Sequence, residues 1–115
     1  MDKELIIADL ISLERVLEKL SRSDLMYDID TAVKIIRVKK RVNEVVEYTF
    51  SRLDTIYGGN VDFNNLSEQH RLVYEAIMTQ KATIYNYGLK LSDVSKNSLV
   101  AIDLQEAEIL CKVFD

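Results

Sequence analysis

The sequence is almost free of residues that interrupt a helix, with no proline and only three glycines among 115 residues. Proline removes a backbone donor and glycine is costly in a helix interior, so their scarcity favours long helices. Two of the glycines, Gly58 and Gly59, are adjacent, and glycine readily adopts the left-handed conformation that ends a helix. We therefore predict a mainly all-α fold in which a long central helix ends at this pair.

The long helix is predicted over residues 31–57, and either Asp28 or Asp30 can accept hydrogen bonds from its first free amides. Its apolar residues fill one arc of a helical wheel. They are Ile35, Val38, Val42, Val45, Val46, Phe50, Leu53, Ile56 and Tyr57. We place Val42, Val46, Phe50 and Leu53 in the main core. At about 40 Å, such a helix is longer than a domain of this size is wide, so one end should protrude or meet another subunit.

The first helix is predicted within "ELIIADLISLERVLEKLS", where apolar residues recur at alternating steps of four and three. The resulting seam consists of Ile6, Leu10, Leu13, Leu17 and Leu20. Such a narrow seam is typical of a helix that packs along one neighbour, so we predict it as the association surface of a homo-oligomer, most simply a homodimer. The alternative is a monomer in which this helix folds back along the second and leaves no seam exposed.

A third helix is predicted from Asn65 or Ser67 to Gly88. Its buried side would consist of Val73, Ala76, Ile77, Ile84 and Tyr87. The following residues, 89–102, combine an alternating stretch with turn residues, which predicts a small β-hairpin or, alternatively, an irregular loop.

The last predicted element is a short helix that opens with a capping-box pair, Asp103 and Glu106. We find no internal repeat and no flexible linker. Residues 1–115 are therefore predicted to form a single helical domain, a hairpin or bundle built around the long helix.

A basic stretch of the long helix is the sharpest chemical feature of the sequence. Four of its cations are candidate contacts for an acidic partner or for phosphate: Lys34, Arg37, Lys40 and Arg41. The simplest interpretation is a solvated helical face, because Glu44 follows at the spacing of ion pairs. Cations near a helix start oppose the helix dipole, however, so acidic groups should compensate them. Asp24, Asp28 and Asp30 are nearby candidates, as are Glu14 and Glu18 if the first two helices pair antiparallel.

The remaining sequence argues against catalysis. His70 is the only histidine, and Cys111 is most simply a small core residue. No metal-ligand spacing or glycine-rich phosphate loop is visible, so we predict no cofactor, no metal and no enzymatic activity. A single cysteine suits a reducing compartment, and we see neither a signal peptide nor a membrane span, which predicts a cytoplasmic protein.

Three segments in order, "LDTIYGG", "LSEQHRLVYEAIMTQKATIYNYGLKL" and "SLVAIDLQEAEILCKVF", resemble small phage- and prophage-encoded proteins of unknown function. The resemblance implies a helical hairpin followed by a short extended segment and a final helix. It also implies a role in virus particle assembly or in interference with a host protein, both of which are binding roles.

We therefore expect a protein–protein interaction or assembly protein that acts through helix faces and self-association. The six tyrosines fit such an interface, although they also fit a core that is capped by tyrosine. The alternative is a nucleic-acid-binding regulator that uses the basic face of the long helix. A net charge of −4 disfavours this alternative, because nucleic-acid binders are usually basic.

Overall fold

The computed structural model describes residues 2–22, 25–58, 64–94 and 101–115. In chain order its elements are β1 (Asp2–Ile6), α1 (Ile7–Leu20), α2 (Ile29–Tyr57), α3 (Glu68–Met78), β2 (Lys81–Tyr85), α4 (Leu91–Val94) and α5 (Leu104–Val113). Helix dominates, which confirms the mainly helical prediction. A small antiparallel sheet formed by β1 and β2 is added to it.

The long central helix is confirmed as α2. Asp28 is its N-cap, and the backbone amide of Thr31 donates to the Asp28 carboxylate over 2.7 Å. At the other end Gly58 takes a left-handed conformation with φ of 76°. Both ends are therefore set by local sequence signals, a capping carboxylate and a glycine.

Helices α1 and α2 pack antiparallel. This is the arrangement in which acidic residues of α1 can compensate the cations in the first half of α2. The Glu18 carboxylate near the end of α1 lies 3.0 Å from the Lys39 ammonium in the first half of α2. Further back along α1, Glu14 shares a surface with Glu47 from the second half of α2. The predicted ionic contact between the two helices is confirmed for Glu18.

The α1 seam lies inside the protein, which corrects its prediction as an association surface. Leu10, Leu13, Leu17 and Leu20 are buried, and Ile6 belongs to β1 rather than to a helix. Helix α1 packs against α2, α3 and α5, and these elements cover the seam. Two ion pairs between α1 and α5 hold this arrangement: Lys19–Glu106 at 2.7 Å and Lys112–Asp9 at 2.9 Å.

The predicted third helix is too long, because α3 ends at Met78 and the next residues form β2. Asp2 pairs with Tyr85 and Ile6 with Lys81, in antiparallel register. In "KATIY", polar and apolar residues alternate, which is the period of a strand. Assigning Ile84 and Tyr87 to the helix was wrong, and so was starting the first helix before Ile7.

The hairpin predicted at residues 89–102 is not seen in its described part. Leu91–Val94 is a short helix, and 101–103 is irregular; residues 95–100 lie outside the described residues. The final helix is confirmed together with its capping box. The Glu106 amide donates to Asp103 over 2.8 Å, and the Asp103 amide donates to Glu106 over 3.2 Å.

The core differs from the prediction at several side chains, including Ala76, which is exposed on α3. Val42, Val46 and Leu53 are buried as expected, but Phe50 is 37% exposed because it lies at the edge of the apolar arc of α2. Cys111 is exposed rather than in the core. The C-terminal part of the core consists instead of Ile109, Leu110, Val113 and Phe114.

Candidate functional site

A groove runs between the basic side of α2 and the outward face of the sheet. We call it the basic–aromatic groove; its lining residues are Asp2, Arg37, Lys40, Arg41, Glu44, Thr83, Tyr85 and Tyr87. Its volume is about 600 Å³. Three of the four predicted contact residues therefore share one concave surface with two tyrosines.

Regular secondary structure places most of these side chains. Residues three and four apart share a helix side, which brings Arg37, Lys40 and Arg41 together on α2. In β2, Ile84 is buried while Tyr85 is 48% exposed, because successive strand residues point to opposite faces. The pairing of Asp2 with Tyr85 places both at the same end of the sheet.

A buried asparagine fixes the turn that presents Tyr87. The Asn86 carboxamide donates to the carbonyl of Val113 and accepts from the amide of Gly88, each over 2.9 Å. Tyr87 itself has a φ of 55°, which is uncommon for a residue other than glycine. Such backbone strain persists only where the surrounding structure imposes it, and Asn86 supplies that constraint here.

The two tyrosines form one aromatic wall against a guanidinium group. Their rings meet edge to face, with centroids 4.8 Å apart and an interplanar angle of 79°. The Arg37 guanidinium carbon lies 5.8 Å from the centroid of the Tyr87 ring, within cation–π range. Arg37 thus lies at the groove beside the Tyr87 ring.

The positive charges of the basic stretch divide into two groups. Lys34 pairs with Asp30 at 3.0 Å and does not line the groove. Lys39 pairs with Glu18 and also donates to the Ser21 hydroxyl over 2.9 Å. Within the described parts of the chain, the groove cations Arg37, Lys40 and Arg41 have no ion-pair partner.

Another part of α2 carries the opposite charge. There Glu47 and Asp54 of α2, together with Glu14 of α1, lie around the partly exposed Phe50; we call this the acidic surface. Burial raises the pKa of the Glu14 carboxyl, and the neighbouring charges of Glu18 and Glu47 raise it further. Negative charges are therefore crowded on this surface.

Glu14→Gln is expected to raise the free energy of unfolding at pH 7 by about 0.2–0.5 kcal/mol, because it removes a like-charge pair that solvent partly screens. Because folding raises the Glu14 pKa, the carboxylate costs stability above that pKa, and the cost disappears as the pH falls through it. Urea unfolding should show the gain at pH 7 and no gain in acid. Glu18→Gln, which breaks the ion pair with Lys39, should show no gain at pH 7, and an equal gain there would contradict this account.

The residues considered for catalysis lie elsewhere. His70 is half-buried; its ring lies 4.4 Å from that of Tyr57, whose hydroxyl donates to the His70 carbonyl over 2.7 Å. Cys111 is exposed on α5. Across the residues that the structure describes, no group of three or more histidine, cysteine or acidic side chains could hold a metal ion.

Two of the groove residues, Tyr85 and Tyr87, were missed as site residues from sequence because they were assigned to the third helix. The alternation in "KATIY" was the signal that could have placed Tyr85 on an outward strand face. No comparable signal existed for Tyr87, whose position depends on a turn with positive φ values.

Comparison with known proteins found no matching protein-family model, no matching curated protein and no matching solved structure. Among the helices described, none combines the length and the apolar character that crossing a membrane requires.

Proposed function

We propose that the chain is a non-enzymatic protein-interaction protein whose basic–aromatic groove binds an acidic segment of a protein partner. One observation carries the proposal: Arg37, Lys40 and Arg41 converge with Tyr85 and Tyr87 and have no ion-pair partner in the described part of the chain. Charge-assisted hydrogen bonds from guanidinium groups to carboxylates are the strong contacts that this arrangement offers.

The composition of the groove supports a protein partner. Tyrosine and arginine are the residues that most often dominate protein interfaces. Asp2 and Glu44 also line the groove, and their carboxylates would repel a continuous phosphate backbone. In a protein partner they can instead accept hydrogen bonds from amide, hydroxyl or ammonium groups.

A nucleic-acid-binding regulator is the second candidate. Cations beside aromatic rings are also the arrangement with which proteins bind single-stranded nucleic acid. The net charge of −4 works against it, because it repels a polyanion from the molecule as a whole.

The test is fluorescence anisotropy with a short labelled peptide of glutamate, aspartate and tyrosine, run beside labelled oligo-thymidine. Arg37→Gln and Arg41→Gln are each expected to weaken peptide binding about tenfold. Lys34→Gln removes the same charge from α2 outside the groove and should leave the Kd unchanged.

Equal effects at Lys34 and Arg41 would show general charge attraction and overturn the assigned site. Tighter binding of oligo-thymidine than of the peptide, with a steep loss in salt, would favour the nucleic-acid alternative. Binding of neither probe would overturn the groove as an anion-binding surface.

We also propose a cellular location and an origin for the protein. The exposed free thiol of Cys111 supports a cytoplasmic location, because reducing compartments preserve such thiols. A phage or prophage origin is proposed on the sequence resemblance alone. Self-association remains part of the proposal, but it needs a surface other than the buried seam of α1.

A further inference from the structure

The exposed face of α2 is divided by charge along its length. In its central turns, the first half carries Lys40 and Arg41, which have no ion-pair partner among the described residues, and the second half carries Glu44 and Glu47, one to two turns later. Neighbouring elements cover the opposite, apolar side of the helix but leave this face exposed. Asp30 and Arg52 are exceptions in the outer turns, but the central turns of α2 carry cations on one side of Asn43 and carboxylates on the other, so this central segment is complementary to its own reverse.

We infer that a second copy of this chain fills the basic–aromatic groove, with the two α2 helices antiparallel about a twofold axis between Asn43 and Glu44. This inference rests on the proposed function and names the partner of the same site. The acidic segment that the groove binds is then the second half of the partner's α2.

The spacing of the charges fits this arrangement. Residues equally distant from the axis face each other, so Lys40 lies opposite the partner's Glu47. Arg41 lies within about 3 Å, along the helix axis, of the partner's Glu44. The twofold symmetry repeats both contacts, and closed twofold dimers are the commonest soluble assemblies.

Apolar side chains match in the same register. Ile36 is 60% exposed and Phe50 is 37% exposed, although both are large apolar residues. Both lie on the same side of the exposed face of α2. Along the helix, their distances from the proposed twofold axis differ by one residue. Ile36 of one copy therefore packs on the partner's Phe50, again twice across the axis.

The crowding of acidic groups gives further support. The pKa of Glu14 is raised, by burial first and then by its neighbours Glu18 and Glu47. Cations that arrive from a second copy beside Glu47 would offset this repulsion. The same cations lack ion-pair partners in the described residues, so both surfaces gain from the contact.

Analytical ultracentrifugation of two charge-reversed variants tests the inference. Wild type at micromolar concentration should sediment with twice its monomer mass of 13.3 kDa and dissociate on dilution or in high salt. Lys40→Glu/Arg41→Glu and Glu44→Lys/Glu47→Lys should each self-associate about a hundredfold or more weakly, because like charges then face each other. An equimolar mixture of the two should recover the dimer, which also shows that both variants fold.

A wild-type mass of 13.3 kDa throughout the dilution series would overturn the inference. Dimers in either variant alone, or no recovery in the mixture, would overturn the pairing of α2 with α2. Peptide binding by a wild-type protein that stays monomeric would leave the proposed function standing without this partner. If the wild-type protein neither self-associates nor binds the peptide, both this inference and the proposed function are overturned.

Discussion

Phe114→Ala is expected to lower the free energy of unfolding by about 3–5 kcal/mol, because it deletes a ring from the closed core. The Phe114 side chain is 2% exposed, and its backbone amide donates to the Leu110 carbonyl over 2.9 Å at the end of α5. The ring therefore joins the last helix to the core that α1 and α2 form. Urea unfolding followed by circular dichroism measures the loss.

Phe50→Ala is the matched control, since it removes the same ring from α2. With 37% of its surface exposed, Phe50 should cost about 1 kcal/mol at protein concentrations too low for self-association. Equal losses for the two substitutions would contradict the burial described here. A larger loss of stability for Phe50→Ala than for Phe114→Ala would show that the Phe50 ring belongs to the core.

Asn86→Ala is expected to cost about 1–3 kcal/mol for each partner that it leaves unsatisfied. Its buried carboxamide donates to the carbonyl of the buried Val113, where water cannot easily replace it, and accepts from the amide of Gly88, an exposed residue. Because the same contacts fix the backbone of Tyr87, peptide binding in the groove should weaken as well.

The control for this substitution is Asn43→Ala, which removes a carboxamide from the middle of α2 and is compared at protein concentrations too low for self-association, because Asn43 lies beside the proposed twofold axis. Alanine favours helix more than asparagine does, so its stability should be unchanged or slightly higher. Urea unfolding and peptide anisotropy apply to both variants. An Asn86→Ala loss below about 0.5 kcal/mol would contradict the assigned hydrogen bonds.

The central helix was predictable because its signals are local. Asp28 and Gly58 act on the residues beside them, and no other breaker interrupts the segment between them. The capping box of α5 was predictable for the same reason, since Asp103 and Glu106 contact only each other's backbone and side chain.

The small sheet was not predictable in this way, because β1 and β2 pair across most of the chain. Each strand has five residues, and so short an apolar segment satisfies a helical pattern as well as an alternating one. Only the distant partner decides between them. The exit from α3 at Met78 follows from that pairing.

The groove was half predictable. Helical spacing alone brings Arg37, Lys40 and Arg41 to one side of α2. The tyrosines that complete the groove depend on β2 and on the Asn86 turn, which are products of tertiary structure. Likewise, a stripe such as the α1 seam shows that a helix needs a neighbour, but not whether its own chain or another supplies it.

Amide chemical shifts can show whether the cations of α2 form one binding surface with Tyr85 of β2 and Tyr87 of the following turn. The Glu47→Gln variant keeps every groove residue and should self-associate more weakly than wild type. Its titration with the acidic peptide can therefore be followed in ¹⁵N spectra. We expect shifts concentrated at residues 37–44 and 83–87, which should move together and with one affinity. Shifts centred on α3 or α5, or no shifts at saturating peptide, would show that the groove is not the binding surface.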